Sequence, residues 1–237
     1  MKAAGGNRLT SLSAVQTAII SCNQCARLRT YCREVGQVKK AAFRDHVYWA
    51  RPVPGFGDPN ARLFILGLAP AAHGANRTGR VFTGDGVGAS GDFLMAALKR
   101  AGFANIATSQ RTDDGLTLKD AYIAAAVRCA PPGNKPLPEE IDRCLVHLRH
   151  EVAHLPRVRV VVALGKIAWD AWLKLLTMNG DTVPRPRPAF GHGQTWTHNR
   201  ITLVGAYHPS RQNTNTGKLT PRMYDDVFSA VRESLRR

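Results

Sequence analysis

Acidic side chains are in short supply: 17 Asp+Glu stand against 33 Lys+Arg, a formal net charge of +16 over 237 residues. Long apolar runs are absent as well. None approaches the roughly 20 residues that a membrane-spanning helix needs, so an integral membrane protein is excluded. The first residues, Met1-Lys2-Ala3-Ala4-Gly5-Gly6, lack the apolar core of a secretory signal, and a cytoplasmic location is expected. Cysteine is sparse, with five residues. In a reducing compartment these predict metal ligands, reactive thiols or core filler rather than structural disulfides. No internal repeat or low-complexity tract breaks the chain. The 44% hydrophobic content excludes a disordered chain.

What is present is a basic excess spread along the whole sequence. It predicts a broad positive face, whose commonest partner is nucleic acid; the plainer alternative is an Arg-rich genome composition. Continuous apolar runs bounded by turn residues predict strands buried on both faces at 63–66, 122–127, 158–164 and 201–206. Helical periodicity follows each of them. Phe93, Leu94, Ala97, Leu98 and Ala101 share one face, as do Ile141, Leu145, Leu148 and Val152. Trp169, Trp172, Leu175 and Leu176 form a third stripe, and Tyr224, Phe228, Val231 and Leu235 a fourth. Alternating strands and helices predict an α/β fold, a parallel sheet between helices, in one domain over 1–237. Residues 1–20 read as a polar lead-in with a short helix. Residues 21–60, aromatic and rich in Pro and Gly, read as irregular structure wrapped on the core.

In such sheets ligands bind beyond the carboxyl ends of the strands. Three polar segments fall there: 67–91, 128–135 and 207–218. The first is neither a P-loop, since no Gly-Lys-Ser/Thr follows its glycines, nor a dinucleotide fingerprint. Its glycines let backbone amides approach a bound group. Phe82, in polar company, either stacks on a planar ring or plugs the loop onto the core. Asp85 is a turn residue, a helix cap or a carboxylate held for acid–base work. Asp92 is the fallback carboxylate, better placed in the first turn of the next helix.

Cys22-x-x-Cys25 suits a tetrahedral S₄ site, because both sulfurs can point inward from one turn. Cys129 and Cys144 flank a loop and can converge with that pair. Four thiolates accommodate zinc or an iron–sulfur cluster, and spacing alone does not separate the two. Buried unliganded thiols are the alternative. Cys32 is the odd one out, a core residue or a substitute for Cys25.

Three blocks of sequence carry a resemblance. They are Gly67-Leu68-Ala69-Pro70-Ala71-Ala72-His73-Gly74 with Arg77-Thr78-Gly79-Arg80 and Phe82-Thr83-Gly84-Asp85; Val127-Arg128-Cys129-Ala130-Pro131-Pro132-Gly133-Asn134-Lys135-Pro136; and His208-Pro209-Ser210-Arg211-Gln212-Asn213 with Gly217-Lys218. Over about residues 20–235 the chain resembles the uracil-DNA glycosylase superfamily, specifically its iron–sulfur branch, family 5 (UDGb). The resemblance implies a three-layer α/β/α sandwich around a central four-stranded parallel sheet. It also implies a structural [4Fe–4S] cluster on Cys22, Cys25, Cys129 and Cys144, with residues 1–60 as the cluster-binding extension.

The implied reaction is hydrolysis of the N-glycosidic bond of a damaged nucleotide flipped out of double-stranded DNA, by a monomer, leaving an abasic site. Asp85 and His208 are the implied catalytic pair. Asp85 would act on the attacking water and on the cationic sugar, and His208 on the departing base. Gly67, Ala69, Ala71 and Phe82 would line the base pocket. Ser210, Arg211 and Asn213, and more weakly Arg80 and Lys135, are candidates to grip the DNA. One departure matters. Related enzymes often carry Thr-Asn just before the Val-Lys/Arg-Cys segment, where this chain has Ala124-Ala125-Ala126. A missing amide loosens base discrimination and predicts a broad substrate range, hypoxanthine included. The competing readings are a non-catalytic, metal-stabilised nucleic-acid-binding protein and an iron–sulfur electron carrier.

Overall fold

The computed structural model describes residues 9–236. In chain order the elements are α1 (Leu12–Ile20), α2 (Ala26–Val38), β1 (Phe56–Gly57), β2 (Leu63–Gly67), α3 (Ala75–Thr78), α4 (Ser90–Arg100) and β3 (Ala121–Ala125), then α5 (Pro138–Ala153), β4 (Val160–Leu164), α6 (Lys166–Met178), β5 (Thr195–His198), β6 (Ile201–Ala206), α7 (Arg211–Asn215) and α8 (Pro221–Arg236).

The strands form one sheet in the order β1-β3-β2-β4-β6-β5. The four central strands pair in parallel, with Ile65 opposite both Ile123 and Val162, and Val162 opposite Val204. Every residue of β2, β3 and β4 is buried, as continuous apolar strands covered on both faces require. Alternation along each strand then splits the core in two. Leu63, Ile65 and Val162 face Leu94 and Leu98 of α4 and Phe228 and Val231 of α8. Phe64, Leu66 and Val161 face Leu145 and Leu148 of α5 and Trp169 and Trp172 of α6. Fully burying each such side chain is worth about 1.5–3 kcal/mol, so the two apolar layers fix which way the strands point.

Two expectations need correction. The sheet has six strands, not four: β1 pairs antiparallel with β3, and β5 antiparallel with β6. β1 is only two residues long, and β5 alternates between exposed and half-buried positions, so neither makes the apolar run that marks a covered strand. Nor is 21–60 irregular throughout, because α2 occupies much of it. Only Leu28, Arg29 and Cys32 of that helix are buried, a seam too narrow and too polar to stand out as an amphipathic period. Leu28 and Cys32 pack with Val127, Cys129, Ala130 and Cys144 in a third, small core.

Candidate active site

The loops after β2 and β6 meet at the carboxyl end of the sheet and enclose a cavity of about 260 Å³. Ala69, Ala71, Phe82 and Asp85 line it from the first loop, and His208, Ser210 and Arg211 from the second. It opens into a wider groove of about 420 Å³ that shares Ala71, Asp85, Asn134 and Arg211 and adds Lys40 and His73.

Glycines set the fit of the first loop. Phe82 holds a left-handed backbone, φ 52°, which costs a non-glycine residue roughly 1–3 kcal/mol. Its ring lies where a Cβ on Gly67 would come within 2.9 Å of Cε2, and its carbonyl lies 2.2 Å from the Cβ position of Gly91. Gly67 therefore stands behind the ring rather than among the residues lining the cavity. On its other side Phe82 tilts toward His208, with centroids 5.8 Å apart and planes at 30°. Phe82 packs on the core and also lines the cavity. A Cβ on Gly74 would come within 1.7 Å of Asp85 Oδ1, so only glycine leaves room for that carboxylate. Arg77 straps the loop from inside, donating from Nε to His73 O at 2.8 Å and from Nη2 to Gly84 O at 2.7 Å.

Burial pushes the Asp85 carboxyl up to about 6; Arg77 and Arg211 oppose that rise and Asp92 adds to it. Burial also holds His208 down at about 4, so its imidazole is neutral near pH 7. The second loop is set by its own cap. Asn213 donates from Nδ2 to His208 O at 2.8 Å, and Ser210 Oγ accepts from Asn213 N at 3.3 Å. Asp92 is fully engaged in structure: it accepts from Gly88 N, Ser109 N and Gln110 Nε2 at 2.7–2.9 Å.

The thiols of Cys22, Cys25, Cys129 and Cys144 border a second, smaller cavity beside α2, together with Leu28 and Val127. Among the described residues no three His, Cys, Asp or Glu side chains converge closely enough to hold a single metal ion. Cys32 lies outside this ring, fully buried, with its thiol toward Ala130 O at 3.6 Å.

A sequence model described as the uracil DNA glycosylase superfamily matches residues 54–232. The chain belongs to that superfamily. Within it, the chain is 48% identical over 233 residues to a type-5 uracil-DNA glycosylase of Mycobacterium bovis, covering 98% of this chain and 83% of that protein. It is 49% identical over 215 residues to the type-5 uracil-DNA glycosylase of Thermus thermophilus, covering 90% and 93%. The Pyrobaculum aerophilum type-5 protein is 45% identical over 210 residues, covering 89% and 87%. These matches place the chain in the type-5 branch.

Not every residue marked in the sequence as a uracil-DNA glycosylase site residue reaches the cavity. Asp85, His208, Phe82, Ala69, Ala71, Ser210 and Arg211 do. Asn213 does not; its amide is used in bracing the turn beneath His208. Arg80 points inward, paired with Asp114 at 2.7 Å and donating to Thr83 Oγ1 and Arg111 O, so the structure does not offer it to DNA. Conversely, Asn134 lines both the cavity and the groove and was not singled out. Gly133-Asn134 marks a turn in the sequence, but the direction of the amide is set by the fold, which holds Asn134 at φ 57°.

Proposed function

We propose that the chain is a DNA glycosylase that hydrolyses the N-glycosidic bond of uracil flipped out of double-stranded DNA. One observation carries the reading: a carboxylate of raised pKa, a neutral imidazole and an aromatic face line one cavity, and they come from two loops far apart in sequence. The type-5 relatives are named uracil-DNA glycosylases, and the net charge of +16 suits a phosphate backbone.

In this reading Phe82 stacks on the extruded base, and Ala69 and Ala71 close around it. Bond cleavage leaves positive charge on the sugar and negative charge on the base. Asp85, ionised above about pH 6, orients or deprotonates the attacking water and favours the cationic sugar. His208, neutral and desolvated, donates its N–H to the departing base anion, where a fixed donor in a dry site is most effective. Arg211, beside Asp85 on the shared rim, takes a flanking phosphate. The wall contains few base-reading groups apart from Asn134. We therefore expect hypoxanthine and other deaminated bases to be excised as well as uracil.

Cys22, Cys25, Cys129 and Cys144 are proposed to hold a [4Fe–4S] cluster. Four thiols around one cavity and buried, unpartnered guanidinium nitrogens on its wall are the donor set that an anionic cluster requires. When bound, the cluster supplies a cross-link rather than chemistry at the base: it ties α2 and the segment before it to α5 and to the segment that leads to Asn134.

The test is a panel of duplexes, each with one damaged base, incubated with the purified protein and then cleaved at abasic sites. Release of uracil and hypoxanthine is expected. Uracil release without hypoxanthine release would remove the broad range, and no release from any duplex would remove the glycosylase.

A further inference from the structure

The wall of the cysteine cavity contains more than sulfur. Arg29 on α2, Arg128 after β3 and His147 on α5 all line it, and each is more than nine-tenths buried. Arg29 Nε and Nη1, Arg128 Nε and Nη1, and His147 Nε2 have no hydrogen-bond partner among the described residues. Each guanidinium donates one hydrogen bond to oxygen, at its far end, and that of Arg29 also lies beside the Cys32 and Cys129 thiols. Arg29 Nη2 donates to Ala50 O at 3.1 Å, and Arg128 Nη2 to Glu151 Oε2 at 2.5 Å. Glu151 is itself committed, accepting from Gly55 N and Tyr122 Oη through its other oxygen. Of the two buried cations only Arg128 is paired with a carboxylate among the described residues, and both line the same enclosed space. Orphaned buried donors are costly, and uncompensated buried charge more so. A sequence retains such an arrangement when an anion satisfies it.

We propose that Arg29 and Arg128, assisted by His147, are positioning residues for the cluster, compensating its negative charge and donating hydrogen bonds to its sulfurs. The inference rests on the cluster reading above. It assigns these side chains a role that the ligand set alone does not contain. Four thiolates leave a [4Fe–4S] cluster anionic, and its potential depends on net charge and on hydrogen bonds to sulfur. Arg128 also donates its backbone N–H to Cys144 Sγ at 3.3 Å, while its side chain ends on Glu151 of α5. It thus couples cluster, strand and helix in one residue. Partners of this kind around a metal site typically change affinity about 10–100-fold.

The test uses the full-length protein purified without oxygen. Iron and acid-labile sulfide are counted, the decay of visible absorbance under chelator is timed, and the midpoint potential is measured. Arg29→Met, Arg29→Lys and Arg128→Lys are compared with the wild type. A wild type lacking iron and sulfide would defeat the cluster reading itself, which separates that failure from failure of the inference. With the cluster present, Arg29→Met is expected to lose it about 10-fold faster or more and to shift the potential negative, since the reduced cluster carries more uncompensated charge. Arg29→Lys should keep the potential near the wild type's while shortening the lifetime, because the charge stays and the planar donors go. If Arg29→Met does not fold, Arg128→Lys decides, as it keeps a cation for Glu151: faster loss supports the role. Wild-type lifetime and potential in a folded Arg29→Met, or in Arg128→Lys where that variant decides, would overturn it.

Discussion

Asp85 does its proposed work because of what surrounds it, and a neighbouring glycine tests this more sharply than the carboxylate does. Gly74→Ala places a methyl group within 1.7 Å of where Oδ1 lies, so the carboxylate must move. The substitution should lower uracil release nearly as far as Asp85→Asn, about 10²–10⁴-fold. It should leave the circular-dichroism spectrum and thermal midpoint close to wild type, since the side chain that yields is at a cavity rim. Wild-type turnover in Gly74→Ala would show that the carboxylate's position is not critical. His208→Ala removes one preorganised donor and should cost about 10²–10³-fold in single-turnover rate, with binding to abasic duplex retained in a gel-shift assay. The sequence put Asp85 and His208 in loops that follow covered strands, and the structure brings both to one cavity. The use of Asn134 and Arg77 was not legible, since an amide and a cation in a loop reveal it only when the loop's fold places them.

At the scale of elements, α2 docks through Leu28 and Cys32 on Val127, Cys129 and Ala130 after β3 and on Cys144 of α5. The buried pair Arg128–Glu151, at 2.5 Å with both side chains excluded from solvent, ties the segment after β3 to α5. Glu151→Ala strands a buried guanidinium and should destabilise by about 3–5 kcal/mol, read from the urea midpoint; a loss below 1 kcal/mol would mean that the pair is solvated or replaceable. The covered strands were readable because burial on both faces forces an unbroken apolar run, as in Leu63-Phe64-Ile65-Leu66. Helix α2 was hidden because it buries so little: its seam of Leu28, Arg29 and Cys32 includes a cation that makes sense only beside the cysteine cavity. The edge strands were hidden for a related reason. A two-residue strand such as β1 gets its identity from the neighbour it pairs with, not from its own pattern.

Over the whole molecule, charge decides encounter and the sheet decides where the chemistry sits. The carboxyl ends of β2 and β6 bring together residues more than a hundred positions apart, with β4 between them. Glycine is needed here for its backbone rather than for space: Gly165 at the end of β4 has φ 99°, and a Cβ there would meet His208 Cβ at an ordinary 3.7 Å. With a net charge of +16, binding to undamaged duplex should weaken steeply with salt. Arg211→Ala should reduce the slope of log K against log salt by about one; an unchanged slope would take Arg211 off the phosphate backbone.

The central claim, that Asp85 acts as an ionised group on a nucleoside held against His208, is tested most directly by the pH dependence of single-turnover uracil release. His208 is already neutral above about pH 4, so only Asp85, titrating near 6, should shape the profile in the physiological range. The wild-type rate should climb close to tenfold per pH unit below pH 6 and level off above it, while Asp85→Asn should be slow and flat throughout. An Asp85→Asn profile that keeps both the wild-type rate and its inflection would contradict the account.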